Sequence, residues 1–157
     1  MVFWMAGALA DPGAFAGSWS FVGGEDERKA VGTVVEEGAG RFNFAIRPIA
    51  RSKLAKVCAI DTGISFSGGT DDIQIAFEGE NPRTSGGPSD GTKVQIHGAT
   101  VAYRVEGRKL TVDGSNENGG KLSVYELVSE GTMRVTHTVS SSTLGDPLSW
   151  TLTYRKR

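Results

Sequence analysis

Short alternating runs of apolar and polar residues fill the C-terminal two thirds of the chain. The runs are DTGISFSGG, DDIQIAFEG, TKVQIHG, ATVAYRVEG, RKLTVDGSN, GKLSVYELVSEG, TMRVTHTVS and LSWTLTYRKR, and Gly, Asn, Asp or Ser separates them. Alternation of period two bounded by such residues predicts antiparallel strands joined by tight turns. A closed barrel hides the edges of such a meander, and a sandwich of two sheets is the alternative. The Gly-, Pro- and Ser-rich stretch 79–91 is predicted to be a mobile loop.

A different periodicity, close to that of a helix, precedes the meander. Between Glu25 and Ile46 the acids come first and the arginines last, as the helix dipole prefers, although Gly32, Gly38 and Gly40 weigh against a helix. In RPIARSKLAKV the proline suits a first helical turn, and the apolar residues share one face. The pattern predicts two helices, near 26–45 and 48–56.

The first ten residues, MVFWMAGALA, are apolar and uncharged and end in a small-residue pattern. They suit either the back half of a secretory signal peptide, without its basic start, or a segment that packs over an apolar surface. The first alternative favours a secreted or periplasmic protein, and the second leaves a cytoplasmic one open. We therefore divide the chain into an N-terminal segment, 1–14, and one domain, 15–157, with a helical lid near 26–56.

Composition narrows the classes of function. The chain has 157 residues, 38% of them apolar, which suffices for one domain with a core. Seventeen Lys and Arg against eighteen Asp and Glu give no overall charge of the kind that nucleic-acid binders carry. A single cysteine, Cys58, excludes an internal disulfide and a thiolate zinc site. No apolar run is long enough for a membrane-spanning helix.

Motifs for catalysis, metals or cofactors are not recognisable. The two histidines, His97 and His137, lack the spacing of a metal site, and the Gly-rich stretches lack the Gly-Lys-Ser/Thr ending of a phosphate loop. The sequence has no nucleophile elbow, and its adjacent acid pairs do not form a general acid/base dyad. We assign no catalytic residue, no metal ligand and no cofactor.

The order of one strand, two helices and a long meander resembles the fatty-acid-binding-protein branch of the lipocalin-like (calycin) barrels. FAGSW at 15–19 resembles their first strand, YELVSEGTM and LTYRK resemble their last strands, and NFAIRPIARSKL resembles a bacterial group of such barrels. The resemblance implies an up-and-down barrel of about ten strands, with the two helices as a lid. It also implies that Trp19 plugs the closed end, where Gly17 lets backbones approach closely.

The resemblance fails at the carboxylate clamp. Fatty-acid carriers hold the ligand carboxylate with two interior arginines and a tyrosine; here Tyr154 keeps the tyrosine, while Leu152 and Tyr125 replace the arginines. Neither replacement supplies the bidentate fork of a guanidinium. We therefore expect a neutral or weakly polar ligand.

Strand parity gives a candidate ligand site. In each of the last two runs the apolar residues alternate along one side, and His137 and Tyr154 lie on that side, so we expect both to face the interior. The family resemblance implies that Tyr125 faces the interior as well. We predict that these three form a polar anchor within hydrogen-bonding reach of one another, directly or through one water. The predicted lining of the cavity is Met133, Val135, Trp150 and Leu152. Alternatively, the three polar side chains satisfy one another in a filled core.

Basic residues mark the predicted portal beneath the lid. Arg47, Arg51, Lys53 and Lys56 form a basic face on the second helix. It could touch anionic membranes transiently during ligand transfer or could simply be solvated.

Three functions remain open. The first is a non-enzymatic carrier or sensor for a small lipophilic molecule. The second is an isomerase or cyclase that uses the same cavity, with His137 and a tyrosine as acid and base. The third is a structural or partner-binding barrel whose interior is filled by side chains.

Overall fold

The computed structural model describes residues 12–157, so the predictions for residues 1–10 lie outside the described part. After a short 3-10 turn, Pro12–Phe15, the chain forms a first strand and two helices, followed by nine further strands. The elements are β1 (Gly17–Phe21), α1 (Gly24–Gly40), α2 (Arg47–Val57), β2 (Gly63–Ser67), β3 (Asp72–Glu78), β4 (Arg83–Pro88), β5 (Asp90–Ile96), β6 (Ala99–Glu106), β7 (Lys109–Asn116), β8 (Gly119–Ser129), β9 (Thr132–Ser140) and β10 (Leu148–Lys156). Ten strands with a helical pair after the first confirm the predicted fold class.

The strands form one antiparallel sheet in the order β4-β3-β2-β1-β10-β9-β8-β7-β6-β5. Strand β1 pairs with both β2 and β10, which excludes the sandwich of two sheets. Strands β4 and β5 meet without a ladder of their own. Ser89, between them, donates its N–H to the Asp71 carbonyl and accepts the N–H of Val105, each at 3.0 Å. The sheet is therefore a nearly closed barrel with a seam between β4 and β5.

The prediction of a mobile loop at 79–91 is wrong. Most of that stretch belongs to β4 and the start of β5, and β4 pairs with β3 from Arg83 to Pro88. The sequence RTSGGP has no apolar alternation, but backbone groups alone make the ladder. At Gly87 a Cβ atom would lie 3.3 Å from the Tyr103 ring, so the missing side chain leaves space for that ring.

The helices form the lid, and α1 ends five residues earlier than predicted. The Asn43 side chain accepts the backbone N–H of Ala45 at 3.0 Å and thereby shapes the turn that leads into α2. Helix α1 is anchored on β10 at both ends. Glu27 accepts hydrogen bonds from Thr153, and Gly38 packs against Leu148. No helix within 12–157 is long and apolar enough to cross a membrane.

Trp19 closes the end of the barrel opposite the helices. It is buried, its Nε1 donates to the Phe15 carbonyl at 3.0 Å, and it lines a cavity together with Leu127 of β8 and Gly131 of the β8–β9 turn. The expectation that Gly17 allows close approach of backbones is wrong. The φ of 112° at Gly17 suits glycine, and a Cβ there would meet the Lys156 side chain rather than a neighbouring backbone.

Large side chains fill the interior toward this closed end. The bulkiest fully buried residues are Trp19, Tyr103, Tyr154, Phe15, Ile64, Ile73, Ile75, Leu110, Met133 and Leu152. The open space that concerns function lies at the other end, beneath the helices.

Candidate functional site

Registers across β8, β9 and β10 arrange the interior side chains in levels. From the lid toward the closed end, the levels are Ser123–His137–Trp150, Tyr125–Val135–Leu152 and Leu127–Met133–Tyr154. Every one of these side chains is buried. The structure thus places all seven predicted ligand-binding residues inside the barrel.

His137 lies among aromatic rings and hydrogen-bonds to a serine. The Ser123 hydroxyl and His137 Nδ1 are 2.7 Å apart, and the imidazole packs edge-on to Tyr125 and against Trp150 at centroid distances of 6.4 and 5.3 Å. Burial, with smaller contributions from the charges of Lys121 and Arg83, lowers the pKa of His137 well below its usual 6.5. The ring is therefore neutral at physiological pH.

Tyr154 does not join the predicted polar anchor. Its hydroxyl donates to the Asp61 carbonyl at 2.6 Å, in the connection that follows α2. Tyr154 stands four residues from Trp150 on β10, about 13 Å along a strand, so it is far from the His137 level. Tyr125 and His137 are ring neighbours, and burial raises the pKa of both tyrosines. The expected three-residue contact is therefore not formed.

A cavity of about 580 Å³, the mouth cavity, opens between the end of α2 and the lid-side ends of the strands. Three cationic side chains and one carboxylate line it: Lys56, Arg83, Lys121 and Asp61. Arg83 holds both carboxylate oxygens of Asp61, at 2.9 and 3.2 Å, and lies over the Phe77 ring. Lys121 donates to the Val57 carbonyl at 3.2 Å and stands 5.7 Å from the Trp150 ring centroid.

Sequence reasoning missed these two cations. Lys121 shares the strand parity of Tyr125 and pairs with Val139, so the parity given to Tyr125 was a signal that Lys121 faces the same side. Arg83 lies in the stretch predicted to be a loop, where strand parity predicts no facing for a side chain.

Three buried side-chain donors within 12–157 have no hydrogen-bond partner in the protein. They are Trp150 Nε1, whose ring is next to Lys121, the hydroxyl of Tyr103 on β6, and Arg47 Nε at the start of α2. Burial of a polar group without a partner costs about 1–3 kcal/mol, and native proteins rarely leave one. Such donors are suited to a bound molecule or to ordered water.

A second cavity, the lid groove, lies beside the mouth cavity. It measures about 720 Å³ and runs between α2 and the β9–β10 turn. Its apolar lining consists of Phe42, Ile46, Ile49, Ala50, Leu54, Val57, Val139 and Leu144. The two cavities share Val57, Asn118, Val139 and Ser141, so a cationic space and an apolar space adjoin beneath one helix.

The predicted basic face of the portal is smaller than expected. Arg47 donates to the Phe42 carbonyl at 3.0 Å, and Arg51 pairs with Glu36 through contacts of 2.6 and 2.8 Å. Each guanidinium group therefore makes hydrogen bonds within the protein, although the buried Arg47 Nε has no partner there. Lys53, in the lid groove, and Lys56, in the mouth cavity, are exposed at the surface of α2.

The histidines do not come together. His97 is exposed in the turn between β5 and β6, whereas His137 is in the barrel interior. Within residues 12–157 there is no group of three or more His, Cys, Asp or Glu side chains placed to hold a metal ion.

Comparison with solved structures shows the class of fold. The chain is similar to the fluorescent protein UnaG, with a TM-score of 0.61 and 15% identity over 94% of this chain and all of the other. It is also similar to a Schistosoma mansoni fatty acid binding protein solved in complex with arachidonic acid (TM-score 0.58, 17% identity, 96% of this chain and 99% of the other). A zebrafish ileal bile acid-binding protein complexed with cholic acid gives a TM-score of 0.54 at 19% identity, over 92% of this chain and 99% of the other.

The protein therefore has the fold of the fatty-acid-binding proteins, as the sequence resemblance implied. No protein-family model and no curated protein sequence matches the chain. The bacterial grouping stays a prediction.

Proposed function

We propose that the protein binds a small lipophilic ligand non-enzymatically beneath its helical lid and acts as a carrier or sensor. The carrying observation is the adjacency of the mouth cavity, which cationic side chains line, and the apolar lid groove. Two structures of the same fold were solved with arachidonic acid and cholic acid, which supports a ligand of this kind.

The proposed site lies nearer the lid than the sequence analysis placed it. Side chains fill the closed half of the barrel, as the third alternative expected, but the space under α2 stays open. The predicted lining residues Met133, Val135 and Leu152 lie in the two levels nearer the closed end, where side chains fill the interior. The predicted lining residue Trp150 is next to the open space, because its ring centroid lies 5.7 Å from the Nζ of Lys121, which lines the mouth cavity.

Exposed apolar side chains on the lid support entry of the ligand there. Phe44 is 84% exposed, and Ile49 is 59% exposed on α2. We propose that Phe44, with Lys53 and Lys56, touches anionic membranes during transfer. A Phe44→Ser variant should slow transfer of a fluorescent lipid to anionic vesicles, and an unchanged rate would refute membrane contact while leaving ligand binding intact.

A pair of matched variants tests the proposed site. Ala50→Trp places an indole in the lid groove, whereas Ala55→Trp places one on α2 in the separate groove between the helices. Binding of the neutral dye N-phenylnaphthylamine, followed by fluorescence, should weaken about tenfold or more in Ala50→Trp and stay within about twofold in Ala55→Trp. Equal affinities in both variants, or no binding to the unmodified protein, would refute the proposal.

A further inference from the structure

We infer that Lys121, with Arg83 beside it, binds the singly charged anionic headgroup of an amphiphilic ligand in the mouth cavity, while the apolar part of that ligand lies in the lid groove. This inference rests on the proposed function and gives the chemical class of its ligand, an anionic amphiphile in place of the neutral or weakly polar ligand that the loss of the family clamp led us to expect. The site differs in place from the clamp that the family resemblance implied, because the arginine positions of that clamp hold Tyr125 and Leu152.

The charges of the mouth cavity leave Lys121 available. The carboxylate that lines the mouth cavity, that of Asp61, already accepts hydrogen bonds from Arg83 at both oxygens. Lys121 forms no salt bridge within the described residues, and its hydrogen bond goes to a carbonyl, that of Val57. An ammonium group carries three donors, so two remain for a ligand. The cavity thus has excess positive charge at a side chain that lacks an anionic partner.

The surroundings of Lys121 favour an anion more than a surface lysine would. Burial, followed by the charge of Arg83, lowers the pKa of Lys121, which means that its charge is incompletely solvated. Asp61 opposes this effect, but Arg83 holds its carboxylate. A headgroup oxygen near the Lys121 Nζ would supply the missing counter-charge.

Neighbouring groups extend the site in both directions. The Trp150 ring centroid lies 5.7 Å from the Lys121 Nζ, and the buried Nε1 of that ring has no hydrogen-bond partner in the protein. Val139 pairs with Lys121 across the strands and lines both cavities. A ligand with its charge at Lys121 can therefore continue past Val139 into the apolar lid groove. The juxtaposition suits an amphiphile better than a small inorganic anion.

Two dyes that differ by one sulfonate group test the inference. Anilinonaphthalene sulfonate carries an anionic group on the ring system of the neutral N-phenylnaphthylamine. In Lys121→Met we expect the affinity for the sulfonate to fall about tenfold or more, as for loss of a charge-assisted contact, and that for the neutral dye to stay within about twofold. Lys93→Gln, an equal loss of charge on the exposed face of β5, should change neither affinity.

The outcomes separate this inference from the proposed function. If both dyes bind and Lys121→Met weakens them no more than Lys93→Gln does, the anion site is refuted and the carrier function stands. If neither dye binds the unmodified protein, the proposed function fails and the anion site fails with it. Unchanged binding of the neutral dye to Lys121→Met shows that the variant is folded, so its loss of sulfonate binding supports the inference.

Discussion

Two glycines of helix α1 give the sharpest test of how the lid packs. Gly32 is exposed, and a Cβ atom there would meet nothing within 4 Å. At Gly38 a Cβ would lie 2.6 Å from Leu148 Cδ1 and 2.8 Å from Leu54 Cδ1. Both leucines are buried, so neither methyl group can swing into solvent. The same substitution by alanine should therefore have opposite effects at the two positions.

The magnitudes follow from two opposing terms. Alanine is favoured over glycine inside a helix by about 0.5–1 kcal/mol, and Gly32→Ala should stabilise the protein by that amount. Gly38→Ala gains the same term but overpacks a buried contact, which costs about 1–3 kcal/mol. We expect a net loss of about 1 kcal/mol for Gly38→Ala, and so a difference of about 2 kcal/mol between the variants.

Urea unfolding measures this difference, provided that the slope with denaturant is the same for both variants. If Gly38→Ala is as stable as Gly32→Ala, α1 does not approach β10 and α2 as closely as the structure shows. The description of the lid would then be wrong.

Three further predictions concern buried polar groups. The lowered pKa of His137 means that the unfolded chain binds the proton more readily, so stability should fall as the pH drops below about 6.5, by at most about 1.4 kcal/mol per pH unit. Urea unfolding at several pH values should show this slope in His97→Asn and not in His137→Gln. Glu27→Gln should lower the free energy of unfolding by about 1–2 kcal/mol. It should also speed hydrogen exchange at the Thr153 amide, whose N–H donates to Glu27 at 2.6 Å, and unchanged exchange would contradict the anchoring of α1 on β10. Burial raises the pKa of Cys58 to about 11, so at about pH 8 its thiol should react with a disulfide reagent only as fast as the protein unfolds, and rapid labelling of the folded protein would disprove its burial.

Strand parity explains why much of the barrel interior could be predicted from the sequence. Once Trp150 faces inward, the pleat places Leu152 on the same side, and the ladder carries that choice to Val135 and His137 on β9. The helices could be predicted as elements, although Gly38 counted against α1. Glycine is needed at position 38 because α1 packs closely against Leu148 there, and local helix propensity does not include such tertiary contacts.

The candidate site itself was harder to predict because it depends on contacts between distant segments. Tyr154 donates to Asp61, 93 residues away, and no local pattern marks a backbone carbonyl as its acceptor. Arg83 joins the site through β4, whose pairing with β3 uses backbone groups and leaves little signature in side chains. Strand parity with Tyr125 also predicts an inward-facing Lys121, whereas the family clamp concerns only positions 125 and 152.

The seam between β4 and β5 and the pairing of β1 with β10 together set how far apart in sequence the paired strands are. The sheet runs in space from β5 through β10 and β1 to β4, so the β1–β10 ladder is the one that joins strands far apart in sequence. A circular permutant opened beside Ser89, with a short linker from Arg157 to Pro12, would form every ladder between strands that follow one another in the chain. Its relative contact order would be lower, and folding rates rise as contact order falls. The permuted barrel should therefore fold faster than the natural order of strands while it keeps the same lid and mouth cavity.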